Sequence, residues 1–359
     1  MNAWRKGLAF AACTVASAAS GRSRKGGEQA AGRPHHHRAD GRFRNPPGSP
    51  KRKATRADFG AFIARRYSDR AAPDVPEGHA LSREAALAGL AAHSDGDSVT
   101  WLGHAAFLIR LGGRTILTDP YLGATAGPFG FGPKRYVEPP LPVEALPPID
   151  VLALSHNHYD HLDASTVRAL PGKERIEVLA PLKLGAFFRR RGYRNVHELD
   201  WWERRRFGGL EATLLPAVHF SRRGPFDFNR TLWGGFAFAA DGRRVFFSGD
   251  TAYGEVFAEI GGREGPFDLA LVGIGAYDPQ PIMMASHATP EEAVLIGRDI
   301  GARSLLGMHW GTVTLTDEPA FEPPERFRAA ALAAGYPRDD AWLLRIGETR
   351  ALPRRWPSN

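Results

Sequence analysis

The sequence predicts an α/β fold in which two β-sheets pack face to face and helices cover both sheets from outside. From about residue 96 onward, short apolar runs typical of strands alternate with stretches rich in glycine and proline. Two pairs of these runs are joined by two-residue turns of the kind that connects antiparallel strands. Helical patterns stand among the later strands, and layered packing is the stable way for such sheets and helices to bury their apolar faces.

The first predicted strands are residues 99–111 and 114–120, which are joined by the turn Gly112-Gly113. The apolar run at 151–155 is the next strand. It is followed by a short helix at 163–170, which begins with an aspartate suited to capping its first turn.

The later strands are predicted at residues 211–220, 234–240, 244–250, 268–276 and 304–310. The second and third of these are joined by an Asp-Gly turn, which indicates another hairpin. A helix at 289–300 separates the last two strands, because Thr289 and Glu292 form a capping-box pattern and Pro290 occupies the first turn.

The first 57 residues differ in composition from the rest of the chain. They carry 13 of the 47 lysines and arginines but two of the 39 acidic residues, so the remainder is close to neutral. A basic tail on a near-neutral body predicts an anionic surface as the partner of the tail and no nucleic-acid groove in the body.

The amino terminus resembles a secretory signal or a lipoprotein signal. Residues 1–20 combine a short basic start with an apolar stretch, and Cys13 follows small residues. Such a signal would place the protein in the cell envelope or periplasm; an unstructured extension is the alternative, with a cytoplasmic, membrane-peripheral protein. Cys13 is the one cysteine, so an intrachain disulfide and a thiolate metal site are excluded.

Residues 21–57 are predicted to be a basic, disordered linker, because they are rich in glycine, proline, arginine and lysine. The three histidines at 35–37 fall in this linker and are interpreted as a solvated polar run. A single hydrolase-like domain is expected over residues 58–353, and no run in it approaches the length that spans a bilayer.

Residues 155–163 read "SHNHYDHLD" and directly follow an apolar strand. In extended backbone, alternate side chains share a face, so His156, His158 and Asp160 can project together. A turn after them brings His161 to the other side of the same pocket. This one segment could therefore serve two adjacent metal ions.

Three other predicted strands each end on a residue that can bind a metal, namely His219, Asp250 and His309. A single histidine at a strand end is more often a hydrogen-bonded core residue. The recurrence, together with the histidine-rich segment, favours a metal site. Imidazole and carboxylate ligands suit zinc first, and iron and manganese are further candidates.

These motifs together resemble the metallo-β-lactamase superfamily, and within it the N-acylphosphatidylethanolamine-hydrolysing phospholipase D family with its bacterial relatives. The similar stretches cover about residues 98–349 and include "WLGHA", "LTDP", "GPKR", "SHNHYDHLD", "ELDWWE", "LWGGF", "FFSGDTAY" and "MHWGT". "FRNPPGSP" at 43–50 resembles the segment that precedes the domain in that family. The resemblance implies an αββα sandwich of two mixed sheets with a binuclear site between them.

The resemblance also implies roles for individual residues. One metal would be held by His156, His158 and His219, the other by Asp160, His161 and His309, with Asp250 bridging the two. Asp160 is a catalytic candidate as well, since it could act as general base if one metal binds.

His287 matches a family histidine that contacts the substrate phosphate or handles a proton. Gln280, Pro281 and Ile282 depart from the Arg-Trp-Phe common in the family near the substrate.

The function implied is a zinc-dependent hydrolase with two Zn²⁺ ions, a phosphodiesterase of phospholipase D type that acts on N-acylphosphatidylethanolamine-like phospholipids. The alternative is a metal-dependent lactone or carboxylic-ester hydrolase of the same fold. A non-catalytic or nucleic-acid-binding protein is a third class, which the complete ligand set and the near-neutral body disfavour. A phospholipid or other phosphodiester is thus the expected partner, with peripheral membrane contact as a further candidate and the oligomeric state open.

Several other residues near these motifs have structural interpretations. His104 is expected to be packed or to support a ligand, and Asp119 either orients a metal-binding histidine or forms a turn before Pro120. Trp201 and Trp202 are expected in the core. The pair at 222–223 is interpreted as solvated arginines, with steering of an anionic substrate as the alternative.

Overall fold

The structure of the protein is a computed structural model that describes residues 34–66 and 72–353. Two seven-stranded mixed sheets form its centre, and helices flank them. The predicted αββα sandwich is confirmed. Residues 1–33, which include the predicted signal at 1–20 and Cys13, lie outside the described residues.

The first sheet has antiparallel strands on one side and parallel strands on the other. Its strands, in spatial order, are β14 (Thr349–Ala351), β1 (Ser98–Gly103), β2 (Ala106–Leu111), β3 (Arg114–Thr118), β4 (Val151–Ala153), β5 (Glu177–Pro181) and β6 (Asn195–Leu199).

The second sheet has the same mixed character. Its strands, in spatial order, are β13 (Ala341–Trp342), β12 (Ala302–Met308), β11 (Phe267–Gly273), β10 (Arg243–Phe247), β9 (Gly235–Ala240), β8 (Leu210–Leu215) and β7 (Arg204–Phe207).

The α-helices of the described residues are short. They are α1 (Arg56–Arg66), α2 (Arg83–Ala92), α3 (Ala164–Ala169), α4 (Gly185–Arg189), α5 (Val256–Glu264), α6 (Gln280–Met283), α7 (Pro290–Asp299) and α8 (Pro323–Ala333). The predicted capping box is present in α7, where Thr289 and Glu292 bond to each other's backbone N–H. No helix within residues 34–66 and 72–353 is long and apolar enough to cross a membrane.

One predicted strand, 99–111, is in fact two strands, because the chain reverses between β1 and β2. Gly103 and His104 both have positive φ angles, 99° and 55°, which an extended strand does not allow. The expected hairpin turns at Gly112-Gly113 and at Asp241-Gly242 are present. The additional turn matters because it carries His104 to the edge of the sheet.

The core follows the alternation of side chains along the strands. Phe107 and Ile109 of β2 belong to a large buried cluster that also contains residues of β8, β9 and β10. Leu108, between them, belongs to a second cluster that contains residues of α2, α3 and α4. One face of the first sheet therefore packs on the second sheet, and its other face packs under helices.

Residues 34–57, which the sequence places in a disordered linker, lie against the domain in the structure. The reason is a set of specific contacts: His36 and His37 each bond a different oxygen of Asp200, both at 2.6 Å. The His36 ring stacks on Trp201 with centroids 4.1 Å apart, and Phe43 is buried. We call residues 34–54 the amino-terminal arm.

Candidate metal centre

The candidate metal centre lies where the carboxyl ends of strands from both sheets meet. In the first sheet, β1, β3 and β4 run in one direction, since they are either parallel or separated by one antiparallel strand. In the second sheet the same holds for β8, β10 and β12. The loops that follow these six strands carry the metal-binding candidates, at the edge where α/β folds usually place chemistry.

Residues 155–163, which we call the ligand loop, follow β4 and turn at His158. The backbone N–H of Leu162 donates to the carbonyl of His158 at 2.8 Å. Because the backbone turns there, Asp160 does not share a face with His156 and His158, as an extended backbone would require. It lies beside His161, with a distance of 3.4 Å between its Oδ2 and the His161 Nε2.

The first cluster consists of His156, His158, His219 and Asp250, whose ligand atoms all lie within 4.8 Å of one another. His158 Nδ1 is 2.8 Å from His156 Nε2 and 3.3 Å from His219 Nε2. Three imidazole nitrogens therefore converge on one point beside a carboxylate. The three histidines are those that the family resemblance assigns to one metal, and Asp250 is the carboxylate that it assigns to both.

The second cluster consists of His104, Asp160, His161 and His309, again with ligand atoms within 4.8 Å. His104 comes from the turn between β1 and β2, and its Nε2 lies 2.9 Å from Asp160 Oδ2. The sequence interpretation made His104 a packed or supporting residue. It is buried and holds Asp160 in place, and it also adds an imidazole to this set of ligands.

Asp250 lies between the two clusters. Its Oδ2 is 3.7 Å from both His156 Nε2 and His219 Nε2 in the first cluster. The same oxygen is 3.0 Å from His161 Nε2, and Oδ1 is 3.1 Å from His309 Nε2 in the second cluster. This single carboxylate therefore reaches both sets of imidazoles, as a bridging ligand must.

Several buried nitrogen and oxygen atoms here have no aligned hydrogen-bond partner among the described residues. Three of them face the clusters, namely His161 Nε2, His309 Nε2 and Asp250 Oδ1, whereas His158 Nε2 and His309 Nδ1 are the nitrogens opposite those that His158 and His309 present to the clusters. Unsatisfied buried polar atoms cost free energy, and convergent imidazole and carboxylate groups are the donors that divalent transition metals bind. The residues present thus fit two metal ions, one in each cluster.

The electrostatics of the first cluster favour metal binding over protonation. Burial lowers the pKa of His158 to about 3 and, less strongly, that of His219 to about 4. Burial, with the neighbouring histidines, also lowers the pKa of His156 well below its usual value. Neutral imidazoles are the metal-binding form, so this cluster presents free lone pairs at neutral pH.

Negative charge dominates the second cluster. Although burial lowers the pKa of His309, the carboxylates of Asp250 and Asp160 raise it to about 9. Burial raises the pKa of both carboxyl groups, but His161 and His309 bring it well below the ordinary value. A cation bound here would replace the proton on His309, so binding of metal to this cluster should release protons.

Asp119 orients two of the candidate ligands, one directly and one through Ser155. Its Oδ2 accepts a bond from His161 Nδ1 at 2.7 Å, and its two oxygens accept the Ser155 N–H and hydroxyl at 2.7 and 2.6 Å. Since the Ser155 hydroxyl donates to Asp119, the N–H of His156 Nδ1 donates to that hydroxyl, at 2.8 Å. Both histidines therefore turn Nε2 toward the clusters, which supports the orienting role for Asp119.

Two groups that sequence reasoning missed hold His219. Its Nδ1–H donates to the carbonyl of Ser286 at 2.8 Å, so its Nε2 is the free nitrogen that faces the first cluster. Its backbone N–H donates to the side-chain oxygen of Asn45 at 2.9 Å. Asn45 lies in "FRNPPGSP", a segment that resembles the family, and this position could have marked it as part of the site. Nothing in the local sequence marks a main-chain carbonyl such as that of Ser286 as a hydrogen-bond acceptor for a ligand.

His287, the second catalytic candidate, lies beside both clusters. Its ring centroid is 5.1 Å from that of His219 and 5.4 Å from that of His309. It is half-buried, and burial holds its pKa well below the usual value. A neutral imidazole in this position has one hydrogen-bond donor and one acceptor available to a bound substrate.

Arg223 is not the solvated residue that the sequence suggested. Its guanidinium donates to the carbonyls of Asn157 and Leu162 at 3.0 and 2.7 Å and lies 3.9 Å from the centroid of the Tyr159 ring. These contacts stabilise the conformation of the ligand loop. Trp201 is buried, as expected of a core residue.

The chain matches the family model of the β-lactamase superfamily domain over residues 114–310. It is 40% identical over 250 residues to N-acyl-phosphatidylethanolamine-hydrolyzing phospholipase D 1 of Caenorhabditis elegans, covering 66% of this chain and 70% of the relative. The mitochondrial enzyme of that name from Saccharomyces cerevisiae is 33% identical over 257 residues, covering 70% of this chain and 55% of the relative.

Solved structures share the fold at lower identity. An isothiocyanate hydrolase from Delia radicum gut bacteria aligns with a TM-score of 0.57 at 21% identity, covering 71% of this chain and 98% of that one. CmlA, a diiron β-hydroxylase from Streptomyces venezuelae, aligns with a TM-score of 0.53 at 22% identity, covering 72% and 54%. The chain belongs to the metallo-β-lactamase superfamily and is a metal-dependent hydrolase close to N-acyl-phosphatidylethanolamine-hydrolysing phospholipase D.

Proposed function

We propose that this protein is a binuclear phosphodiesterase of phospholipase D type that hydrolyses N-acylphosphatidylethanolamine-like phospholipids. The observation that carries the proposal is the placement of Asp250 between two complete sets of ligands, in a chain 40% identical to an enzyme named for that reaction. Cleavage breaks the bond between phosphorus and the head-group oxygen, and water supplies the new oxygen on phosphorus.

Two zinc ions are the proposed cofactors, one held by His156, His158 and His219 and one by Asp160, His161 and His309. Asp250 would bind both. Ions of this kind lower the pKa of bound water and stabilise negative charge that builds on phosphoryl oxygens. Iron and manganese are the alternatives, since these imidazole and carboxylate donors suit them too.

The chain's own residues position and orient the site. Asp119 and the Ser286 carbonyl keep the Nε2 atoms of His161 and His219 turned toward the two clusters. These bonds are between buried groups, so little reorganisation is needed when a substrate binds.

His287 is the group proposed to act on the substrate directly. Because it is neutral, its ring N–H can donate to a phosphate oxygen, or its free nitrogen can accept a proton and return it to the leaving oxygen. Asp160 is proposed as a metal ligand first, since His104, His161 and His309 surround its Oδ2 at 2.9, 3.4 and 3.6 Å.

A lactone or carboxylic-ester hydrolase is the second candidate, and one specific observation favours it. Gln280, Pro281 and Ile282, which depart from the common family residues, form the start of α6, a helix that ends four residues before His287. Ile282 is buried against Phe62 of α1, so the residue that replaces the common phenylalanine packs on a helix that precedes the sandwich in the chain.

The test is the metal content of the purified full chain by mass spectrometry, with turnover of bis(p-nitrophenyl) phosphate and of a lactone before and after chelation. Two metals per chain with chelator-sensitive cleavage of the phosphodiester support the proposal. Two metals with cleavage of the lactone alone support the second candidate. A chain without bound metal that remains active would refute both.

A further inference from the structure

Two loops at the metal centre share one five-residue pattern. Residues 127–131 read Gly-Pro-Phe-Gly-Phe and residues 224–228 read Gly-Pro-Phe-Asp-Phe. We call residues 123–135 loop A and residues 221–231 loop B. A third Gly-Pro-Phe, at 265–267, leads into β11, and its Phe267 is fully buried, so the pattern alone does not expose a phenylalanine.

In the two loops the phenylalanines are exposed. Phe129 is 97% exposed and Phe131 64% in loop A, and Phe226 is 83% and Phe228 38% exposed in loop B. Across residues 34–66 and 72–353, these four are the phenylalanines with exposed side chains. Large exposed apolar side chains that gather in one region are typical of interaction surfaces.

Both loops border the metal centre because both are bonded to the ligand loop. In loop A, the N–H of Gly123 donates to the Asp163 carboxylate at 3.1 Å. In loop B, the N–H of Arg222 donates to the Asn157 side chain at 2.9 Å, and the Tyr159 hydroxyl donates to the Arg223 carbonyl at 3.0 Å. A molecule bound by the phenylalanines would therefore lie next to the candidate active site.

The charge of the loops is positive. Loops A and B contain Lys134, Arg135, Arg222, Arg223 and Arg230 against a single acid, Asp227. The carboxylate of Asp227 accepts hydrogen bonds from the backbone N–H groups of Arg223 and Gly224, at 3.1 and 2.8 Å. Arg135 and Arg223 are bonded to backbone carbonyls, so the cations that the loops themselves expose are Lys134 and Arg230.

Two guanidinium groups stand beside the phenylalanines of loop B. Arg230 donates to the carbonyl of Phe226 at 3.1 Å, and Arg42 of the amino-terminal arm donates to the carbonyl of Phe228 at 3.2 Å. Aromatic side chains flanked by arginine and lysine are the composition that inserts into the interface of an anionic bilayer.

We propose that loops A and B together form a membrane-docking surface, in which Phe129, Phe131, Phe226 and Phe228 enter the lipid interface while the flanking cations contact anionic head groups. This inference deepens the proposed function, on which the choice of a lipid partner rests. A lipid held at this surface would present its head group to the two metal clusters without leaving the bilayer. A second copy of the chain is the competing occupant.

The experiment compares the full chain with Phe129→Gln/Phe226→Gln in co-sedimentation with vesicles of phosphatidylcholine and phosphatidylglycerol. The matched control is Leu295→Gln/Leu332→Gln, which removes two exposed apolar side chains from α7 and α8. The phenylalanine pair should lower the vesicle partition coefficient about tenfold or more, since burying one such side chain in an apolar phase is favourable by that order. The control should not change it.

The salt concentration is raised in a second series, because the basic tail also attracts anionic vesicles. The difference between wild type and the phenylalanine pair should persist there, while both bind more weakly. Thermal midpoints of both double variants should match that of wild type, since the replaced side chains are exposed.

Equal partition of wild type and Phe129→Gln/Phe226→Gln at every salt concentration would overturn the proposal. So would a change in sedimentation velocity from self-associated to monomeric without any change in partition, which would assign the surface to a second copy. If wild type binds vesicles through the phenylalanines but hydrolyses no phosphodiester, the docking surface stands and the proposed function fails.

Discussion

The side-chain oxygen of Asn45 accepts the backbone N–H of His219 at 2.9 Å and the indole N–H of Trp233 at 3.1 Å. Both donors point at one atom, so the orientation of this amide is determined. The amino-terminal arm, far away in sequence, thereby holds a residue of the first cluster in place. The arm is part of the site and not only a connection to it.

Replacing Asn45 by alanine should weaken metal binding at the first cluster. Trp233 keeps a second acceptor, the Ala217 carbonyl at 3.0 Å, but the N–H of His219 loses its side-chain partner. Loss of a group that orients a ligand typically costs about 10–100-fold in metal affinity. Competition with a chromophoric chelator measures this. Asn45→Asp retains the acceptor and should stay near wild type; equal loss in both variants would contradict this role.

Asp119→Asn should weaken metal binding at the second cluster, again by about 10–100-fold. The amide has one acceptor oxygen, and the site needs acceptors for the His161 ring, the Ser155 N–H and the Ser155 hydroxyl. Metal stoichiometry after dialysis against graded zinc concentrations measures the effect. Asp241→Asn, in a turn where φ is 50° and asparagine is well tolerated, is the matched control.

His158→Ala should abolish metal loading of the first cluster and hydrolysis while leaving the chain folded. His158 supplies the nitrogen that lies nearest both His156 and His219. Circular dichroism checks the fold, and mass spectrometry with phosphodiester turnover checks the site. His35→Ala, a replacement of an exposed histidine in the arm, should behave as wild type. Full activity of His158→Ala would refute the binuclear mechanism.

Removal of metal should lower thermal stability. A bound cation would take up the Nε2 atoms of His161 and His309, which are buried and lack hydrogen-bond partners among the described residues, and a ligand at 100 times its Kd stabilises a fold by about 2.7 kcal/mol. Thermal unfolding with and without a chelator, followed by re-addition of zinc, measures the shift. A midpoint that does not depend on metal would show that the clusters are empty in solution.

Asp200→Asn should destabilise the docked arm at neutral pH. Burial raises the pKa of Asp200, but hydrogen bonds from His36 and the Trp201 N–H hold it below its usual value. A carboxyl group with a lowered folded pKa contributes stability above its unfolded pKa of about 3.9, and this is lost as the pH falls through the folded pKa.

Urea unfolding at neutral and acidic pH tests this directly. Wild type and Asp200→Asn should differ at pH 7, and the difference should shrink progressively as the pH falls below about 4. A difference of the same size at every pH would assign the effect of the variant to packing against Trp201 rather than to the charge of Asp200.

Local patterns in the sequence indicated two packed sheets and, except for His104, the residues that the clusters bring together. The ligand loop follows an apolar strand, and His219, Asp250 and His309 each follow another, so strand ends could be located from periodicity alone. The short strands β5, β6, β7, β13 and β14 were not predicted. Of these, β6, β7 and β14 are at most partly buried and β13 has two residues, so their alternation of apolar and polar side chains is weak.

The tertiary structure decided the contacts that local patterns in the sequence do not report. The turn at Gly103 brings His104 to Asp160, the turn at His158 moves Asp160 to the second cluster, and the arm brings Asn45 to His219. These contacts join residues separated by 56 and 174 positions in the case of His104 and Asn45. Sequence periodicity reports the face of a strand or helix that is buried, whereas such contacts depend on how separate elements pack in space.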